Sequence, residues 1–178
     1  MLRGVRLAAL GSIVLAASAP AALAATVHAD IALATPAGPG AAVGNISIAD
    51  APGGARISVR LSGLPAGQHG FHVHQNPSCA PGPINGVVGA AGGAGGHLDP
   101  DKTGTHMGPL GKGHLGDLPF LTVAADGTDS ETLVAPRITD VNVLKGHSLM
   151  IHAGGDNYSD QPKPLGGGGA RIACGVIQ

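Results

Sequence analysis

Beyond its first two dozen or so residues the chain is dominated by short runs in which apolar and polar positions alternate, separated by Gly, Pro and Asp. Val27 to Leu33, Val43 to Ile48 and Arg56 to Leu61 show this most clearly. A period of two puts successive side chains on opposite faces of extended backbone, so each run predicts a strand with one buried face. Gly70 to Gln75, Phe120 to Ala124, Glu131 to Ala135, Ser148 to His152 and Arg171 to Ile177 complete a set of eight predicted strands. Turn signals such as Ala51-Pro-Gly-Gly54 and Asp126-Gly127 fall between several of them. No long stretch carries a helical period. Short strands at regular intervals predict an all-β sandwich or barrel.

Two stretches interrupt that rhythm. Pro77 to Pro119 and Gly154 to Gly169 are rich in Gly and Pro and show no sustained alternation. Loops of this length inside a compact domain are uncommon and usually functional. The first carries His97, His106, His114 and Asp117. Metal binding would give such a segment a reason to order, because binding free energy becomes ordering free energy.

The N-terminus obeys a different logic. A basic start (Arg3, Arg6), an apolar run from Leu7 to Ala19 and the small-residue site Ala22-Leu-Ala24 predict a secretory signal peptide over residues 1–24. The apolar run is shorter than the ~20 residues a spanning helix needs, so no membrane span is expected in the mature form. Residues 25–178 are then one exported domain, destined for the periplasm or secretion. Export to an oxidising compartment makes a Cys79–Cys174 disulfide the expected state of the two cysteines. With no Trp, one Tyr and two Phe, the core lacks large aromatic anchors, and a disulfide and metals matter more than usual. Charge adds little: the whole chain holds 10 basic and 11 acidic residues. No basic run suggests nucleic acid, and any anion the protein handles must be drawn by local charge.

The histidines carry the chemistry. His72 and His74 share one face of a predicted strand while Val73 faces the core, and His152 ends another strand. His114 and Asp117, three apart in a turn, can converge on one ion. With His97 and His106 these make seven nitrogen or carboxylate donors, more than one tetrahedral metal can use, which points to two metals.

Gly70-Phe-His-Val-His74, Gly95-Gly-His97, Gly113-His-Leu-Gly-Asp117 and Gly168-Gly-Ala-Arg-Ile-Ala-Cys-Gly-Val-Ile177 resemble the copper–zinc superoxide dismutases. Gly154-Gly-Asp-Asn157 and Ser159-Asp-Gln-Pro-Lys-Pro-Leu-Gly-Gly-Gly-Gly169 resemble the exported bacterial branch of that family. The resemblance implies an eight-stranded Greek-key β-barrel with long metal-binding and channel loops. It implies one copper and one zinc per subunit, with superoxide as substrate. The expected reaction is dismutation to oxygen and hydrogen peroxide by alternate reduction and oxidation of histidine-bound copper. It gives copper to His72, His74, His97 and His152, and zinc to His97, His106, His114 and Asp117. Seven residues fill two four-ligand sites if His97 serves both as an imidazolate bridge that exchanges a proton during turnover. Arg171 matches the family's substrate-orienting arginine, Asp156 an aspartate linking a copper histidine to a zinc histidine, and His69 a structural histidine.

Some features are left over. His28 and His147 have no derivable role. Gly166 to Gly169 predict close backbone approach or positive φ. The charged loop of the eukaryotic branch is missing, leaving Lys102, Lys112 and Lys163 as weak candidates for steering. Residues 75–98 hold no Asp, Glu, Lys or Arg. Two competing functions are set against the leading one. A non-enzymatic copper- and zinc-binding protein would lack a copper ligand or the channel arginine. A zinc hydrolase would need an open zinc position and a general base. The assembly expected is a monomer or a homodimer.

Overall fold

The structure is a computed structural model that describes Met1 and residues 24–178. The predicted signal peptide therefore lies almost wholly outside the described residues. Among them, strands run β1 (Thr26–Thr35), β2 (Gly38–Ala51), β3 (Gly54–Leu61), β4 (Gly67–His69), β5 (Phe71–His74), β6 (Gly82–Ile84), β7 (Val87–Gly89), β8 (Leu121–Val123), β9 (Thr132–Ala135), β10 (Ser148–His152) and β11 (Arg171–Val176). Each of the eight predicted strands exists, within a few residues of its predicted ends. The three additional ones, β4, β6 and β7, are only three residues long. Runs that short hold too few positions for alternation to be read. No helix among the described residues is long and apolar enough to cross a membrane.

Seven strands form one sheet in the order β5-β10-β11-β1-β2-β3-β9, and β4 pairs with β8. β1, β2 and β3 are successive antiparallel hairpins, whereas β11 returns from the far end of the chain to pair with β1. With β4 and β5 counted as one strand bent at Gly70, this is the eight-stranded Greek-key barrel. Alternation along β1 sends Val27, Ala29 and Ile31 inward, where they meet Ile46 and Ile48 of β2 and Ile57, Val59 and Leu61 of β3. The core is aliphatic, with Phe71 as its aromatic member.

β5 and β10 are buried on both faces. Phe71 and Val73 enter the barrel core together with Leu149 and Ile151. The alternate positions His72, His74 and His152 lie on the outer face, covered by the long loops. The register sets Met150 beside His72 and Ser148 beside His74, so the barrel wall is the rigid floor of a site.

The 77–119 segment is less structureless than its composition suggested. β6 and β7 form a hairpin within it, and it is tied to β11 by the Cys79–Cys174 disulfide, 95 residues apart in sequence. Met150, Ala91, Ala94 and Cys174 pack as a small second apolar cluster beneath it. The carbonyl of Gly82 lies where a Cβ on Gly92 would stand, so that close approach requires glycine.

Candidate metal centre

The seven donors converge. His72, His74, His97 and His152 form one group, and His97, His106, His114 and Asp117 a second, with ligand atoms in each group within 4.8 Å of one another. His97 belongs to both. All seven residues are buried. Backbone contacts lock the loop onto the strands: His74 bridges to His97, His72 bridges to Asp117, and the Leu98 N–H donates to the Val73 carbonyl at 2.8 Å.

Hydrogen bonds assign each ring its free nitrogen. His72 Nε2–H donates to Asp156 Oδ2 at 2.7 Å, which leaves the lone pair on Nδ1. His74 Nδ1–H donates to the Gly95 carbonyl at 2.9 Å and His152 Nδ1–H to the Gly169 carbonyl at 3.1 Å, leaving Nε2 free in both. His106 Nε2–H donates to Asp156 Oδ1 at 2.8 Å, leaving Nδ1 free. His72 Nδ1, His74 Nε2, His97 Nε2, His106 Nδ1 and His152 Nε2 are buried with no hydrogen-bond partner. Each such atom costs about 1–3 kcal/mol unless something satisfies it. Five of them in one place, on imidazoles gathered beside a carboxylate, fit the donor chemistry of copper and zinc.

His97 stands apart. Its Nδ1 lies 3.0 Å from Asp117 Oδ1, and its Nε2 has no partner. Neither nitrogen is anchored to a carbonyl or carboxylate outside the two donor groups. His106 Nδ1 and His114 Nδ1 lie 3.0 and 3.3 Å from the same Asp117 oxygen. The His106 approach is too poorly directed to be a hydrogen bond, as expected of two ligands aimed at a common point.

Electrostatics separate the two groups. Burial pushes His72 and His74 well below the ordinary imidazole value, and His152 down to about 4. These rings therefore offer lone pairs at neutral pH. His106 moves the other way: although burial opposes it, Asp117 and Asp156 raise it to about 9. Against its own burial, His106 and His97 hold Asp117 well below the usual carboxylate range.

Asp156 joins the groups through His72 and His106, and it also accepts the Tyr158 N–H at 2.7 Å. Gly166 closes over it: at φ 69°, a Cβ there would stand 2.0 Å from Asp156 Oδ1 and 2.9 Å from His106 Nε2. Arg171 opens β11 opposite His152. Its guanidinium donates to the Ala91 and Gly95 carbonyls at 2.7 and 2.6 Å, so two of its five N–H donors fix its position. His74, His97, His152 and Arg171 line one pocket of about 400 Å³.

On the strength of this geometry the comparisons with known proteins are specific. The family model for copper/zinc superoxide dismutase (SODC) matches residues 42–177. The chain belongs to the copper/zinc superoxide dismutase family. It is similar to the superoxide dismutase [Cu-Zn] of Brucella abortus, 57% identical over 145 residues that cover 82% of this chain and 84% of the relative. A solved Brucella abortus Cu/Zn superoxide dismutase superposes with a TM-score of 0.84 at 54% identity, covering 86% of this chain and 100% of that one. The solution structure of the monomeric Salmonella enterica enzyme gives a TM-score of 0.76 at 51% identity, with the same coverage of both chains. The protein is accordingly an enzyme, a superoxide dismutase with copper and zinc as cofactors. The non-enzymatic reading is not favoured, and the zinc-hydrolase reading has no support in the family.

Of the other residues singled out in the sequence, His69 lies beneath the site, its ring nitrogens 2.7 Å from the His152 carbonyl and 2.8 Å from the Pro65 carbonyl. Lys102, Lys112 and Lys163 do not line the Arg171 pocket, and Lys163 lies at a separate cavity behind Asp156. The uncharged 75–98 segment contributes Ile84 and Asn85 to the pocket wall. An acidic side chain there would repel an approaching anion. His147 Nδ1–H donates to the Gln75 carbonyl at 2.6 Å. The sequence reading missed the Gly95 carbonyl, which serves both His74 and Arg171, and backbone acceptors leave no mark in a sequence. It also missed Arg137, whose guanidinium donates to the Gly113 and His114 carbonyls at 2.9 Å each. A lone arginine after β9 gives no signal of a partner more than twenty residues away.

Proposed function

We propose that copper is held by His72 Nδ1, His74 Nε2, His97 Nε2 and His152 Nε2, and zinc by His97 Nδ1, His106 Nδ1, His114 Nδ1 and Asp117. The observation that carries this assignment is that His97 belongs to both donor groups and has neither nitrogen anchored elsewhere. When bound, copper supplies the one-electron redox couple and zinc a redox-silent charge. The remaining work falls to the chain's own residues. Arg171, held by two carbonyls, draws superoxide into the pocket and orients it by charge-assisted hydrogen bonds. Two superoxide anions and two protons yield one oxygen and one hydrogen peroxide. His97, one of the residues lining that pocket, holds a proton at Nε2 between the half-reactions and delivers it to the reduced oxygen species. Asp156 fixes the tautomers of His72 and His106, and so keeps the correct nitrogen of each pointed at its metal.

Metal analysis paired with a superoxide-consumption assay tests the assignment. One copper and one zinc per chain with fast turnover is expected. In the wild type, removing zinc should alter the visible spectrum of the copper through the shared ring. His97→Ala should abolish that response, and a retained response would overturn the bridge.

Residues 1–24 act in this reading as a cleaved export signal, which places the enzyme in the periplasm. The support is local: β1 begins at Thr26, and the Ala25 carbonyl already accepts the Asp50 N–H at 3.0 Å. Cleavage after Ala24 would leave that ladder whole. Mass analysis of the exported protein should give Ala25 as its first residue. A monomer or a homodimer is the expected assembly, and the Salmonella relative is monomeric; sedimentation velocity distinguishes them.

A further inference from the structure

Asp160 occupies a position that neither donor group requires. Its Oδ2 accepts the backbone N–H of His106 at 2.9 Å, and its Oδ1 accepts the N–H of Leu165 at 3.0 Å. One rigid carboxylate thus spans two loops that meet nowhere in sequence. On one side is the segment carrying the zinc-group histidine. On the other are Pro164 and Leu165, which line the Arg171 pocket. Leu165 sits at φ 54°, in the left-handed region that a γ-branched side chain adopts at an energetic cost. It is also 43% exposed, so packing contributes little to holding it there. Such a conformation persists where surrounding contacts over-determine it. The contacts that hold it are the Asp160 bond and backbone bonds within its own loop, from the Gly166 N–H to the Ser159 carbonyl at 3.0 Å, the Gly167 N–H to the Pro164 carbonyl at 3.2 Å and the Gly168 N–H to the Leu165 carbonyl at 3.4 Å. Of these, the Asp160 carboxylate is the one that also reaches the His106 segment.

We propose that Asp160 is a positioning residue that couples the order of the zinc-binding loop to the wall of the substrate pocket, by holding Leu165 in its strained conformation from the His106 backbone. The proposal rests on His106 being a zinc ligand. It differs from the role of Asp156, which grips the imidazoles themselves. Zinc on the His106 ring fixes that residue's backbone. The fixed N–H orients the Asp160 carboxylate, and the carboxylate sets where Pro164 and Leu165 stand beside the pocket. Loss of zinc order at His106 would then loosen the pocket wall by a route separate from the shared His97 ring. Two such elements biased by one ion are coupled in the thermodynamic sense, and removing the link should decouple them.

The experiment is residue-resolved amide hydrogen exchange on the metal-loaded enzyme with copper reduced, before and after zinc is removed by a chelator. Two amides report separately: Tyr158, bonded to Asp156, and Leu165, bonded to Asp160. In the wild type, zinc removal should accelerate both. In Asp160→Ala, Leu165 should exchange about tenfold faster with zinc still bound, the scale of one charge-assisted hydrogen bond. Zinc removal should then add nothing at Leu165, while Tyr158 keeps its full response. The proposal is overturned if Leu165 in the variant exchanges as in the wild type, or still responds fully to zinc. If neither amide responds to zinc in the wild type, the assignment of His106 fails and the coupling fails with it. Should Asp160→Ala not fold, Asp160→Asn keeps the volume and one acceptor oxygen. It severs one of the two bonds, and the same loss of zinc response at Leu165 is required of it.

Discussion

Replacing Asp156 by Asn asks the carboxylate to do with one acceptor what it now does with two. Three N–H groups converge on it: His72 on Oδ2, and His106 and Tyr158 on Oδ1. An amide has one oxygen and one NH2, so one side must present a donor to a donor. The oxygen is best placed at the Oδ1 position, where it keeps two bonds, and the NH2 then faces His72 Nε2. His72 loses the partner that holds its lone pair on Nδ1, and its copper-facing nitrogen competes with the other tautomer. A hydrogen bond to a charged group is worth about 1.5–3 kcal/mol. Converted to affinity, that is roughly a 10–100-fold loss of copper binding, in line with the usual effect of removing a group behind a metal ligand. Zinc should weaken less in the Asn variant, since the His106 bond survives, whereas Asp156→Ala should weaken both metals. Chelator competition titrations for each metal separate the cases. Equal loss of copper and zinc in Asp156→Asn, or no loss of either, would refute this accounting of donors and acceptors.

Arg171→Ala should lower kcat/KM for superoxide about tenfold and flatten its salt dependence with both metals still bound, because the guanidinium is the charged group in the pocket wall; stopped-flow superoxide decay across ionic strength measures both. Gly166→Ala should reduce zinc affinity and lower the melting temperature, since the Cβ would stand 2.0 Å from Asp156 Oδ1; wild-type zinc retention against a chelator would contradict it. Reducing Cys79–Cys174 opens a closure of 95 residues, worth about 4–5 kcal/mol in the chain-entropy model, and should lower the melting temperature by about 10 °C or more. In the metal-free protein the folded value of His106, about 9, lies above the 6.5 of a free imidazole. Its protonated form therefore stabilises the apo fold fully below pH 6.5, and that contribution is lost as pH rises through about 9. Zinc must expel this proton, so binding at pH 7 should release about one proton and tighten as pH climbs toward 9; calorimetry in buffers of different ionisation enthalpy would detect its absence.

The sequence by itself determined the barrel strands and named the residues proposed as metal donors, which the fold brings into two groups. Alternation in Val27 to Leu33 or Arg56 to Leu61 is a local property, fixed by which face of a strand must leave water. The donors could be named because histidines and a carboxylate have few other reasons to cluster in a chain so poor in charge. What only the tertiary structure decided is which nitrogen each ring presents and what holds it there. His74 and Arg171 share the Gly95 carbonyl, Asp156 reaches His72 across 84 residues, and Asp160 reaches His106 across 54. Those bonds join backbone groups and side chains brought together by closure of the barrel, and a backbone carbonyl is the same atom at every position in a sequence. The identity of the ligands is chemistry carried by side chains. Their orientation belongs to the fold.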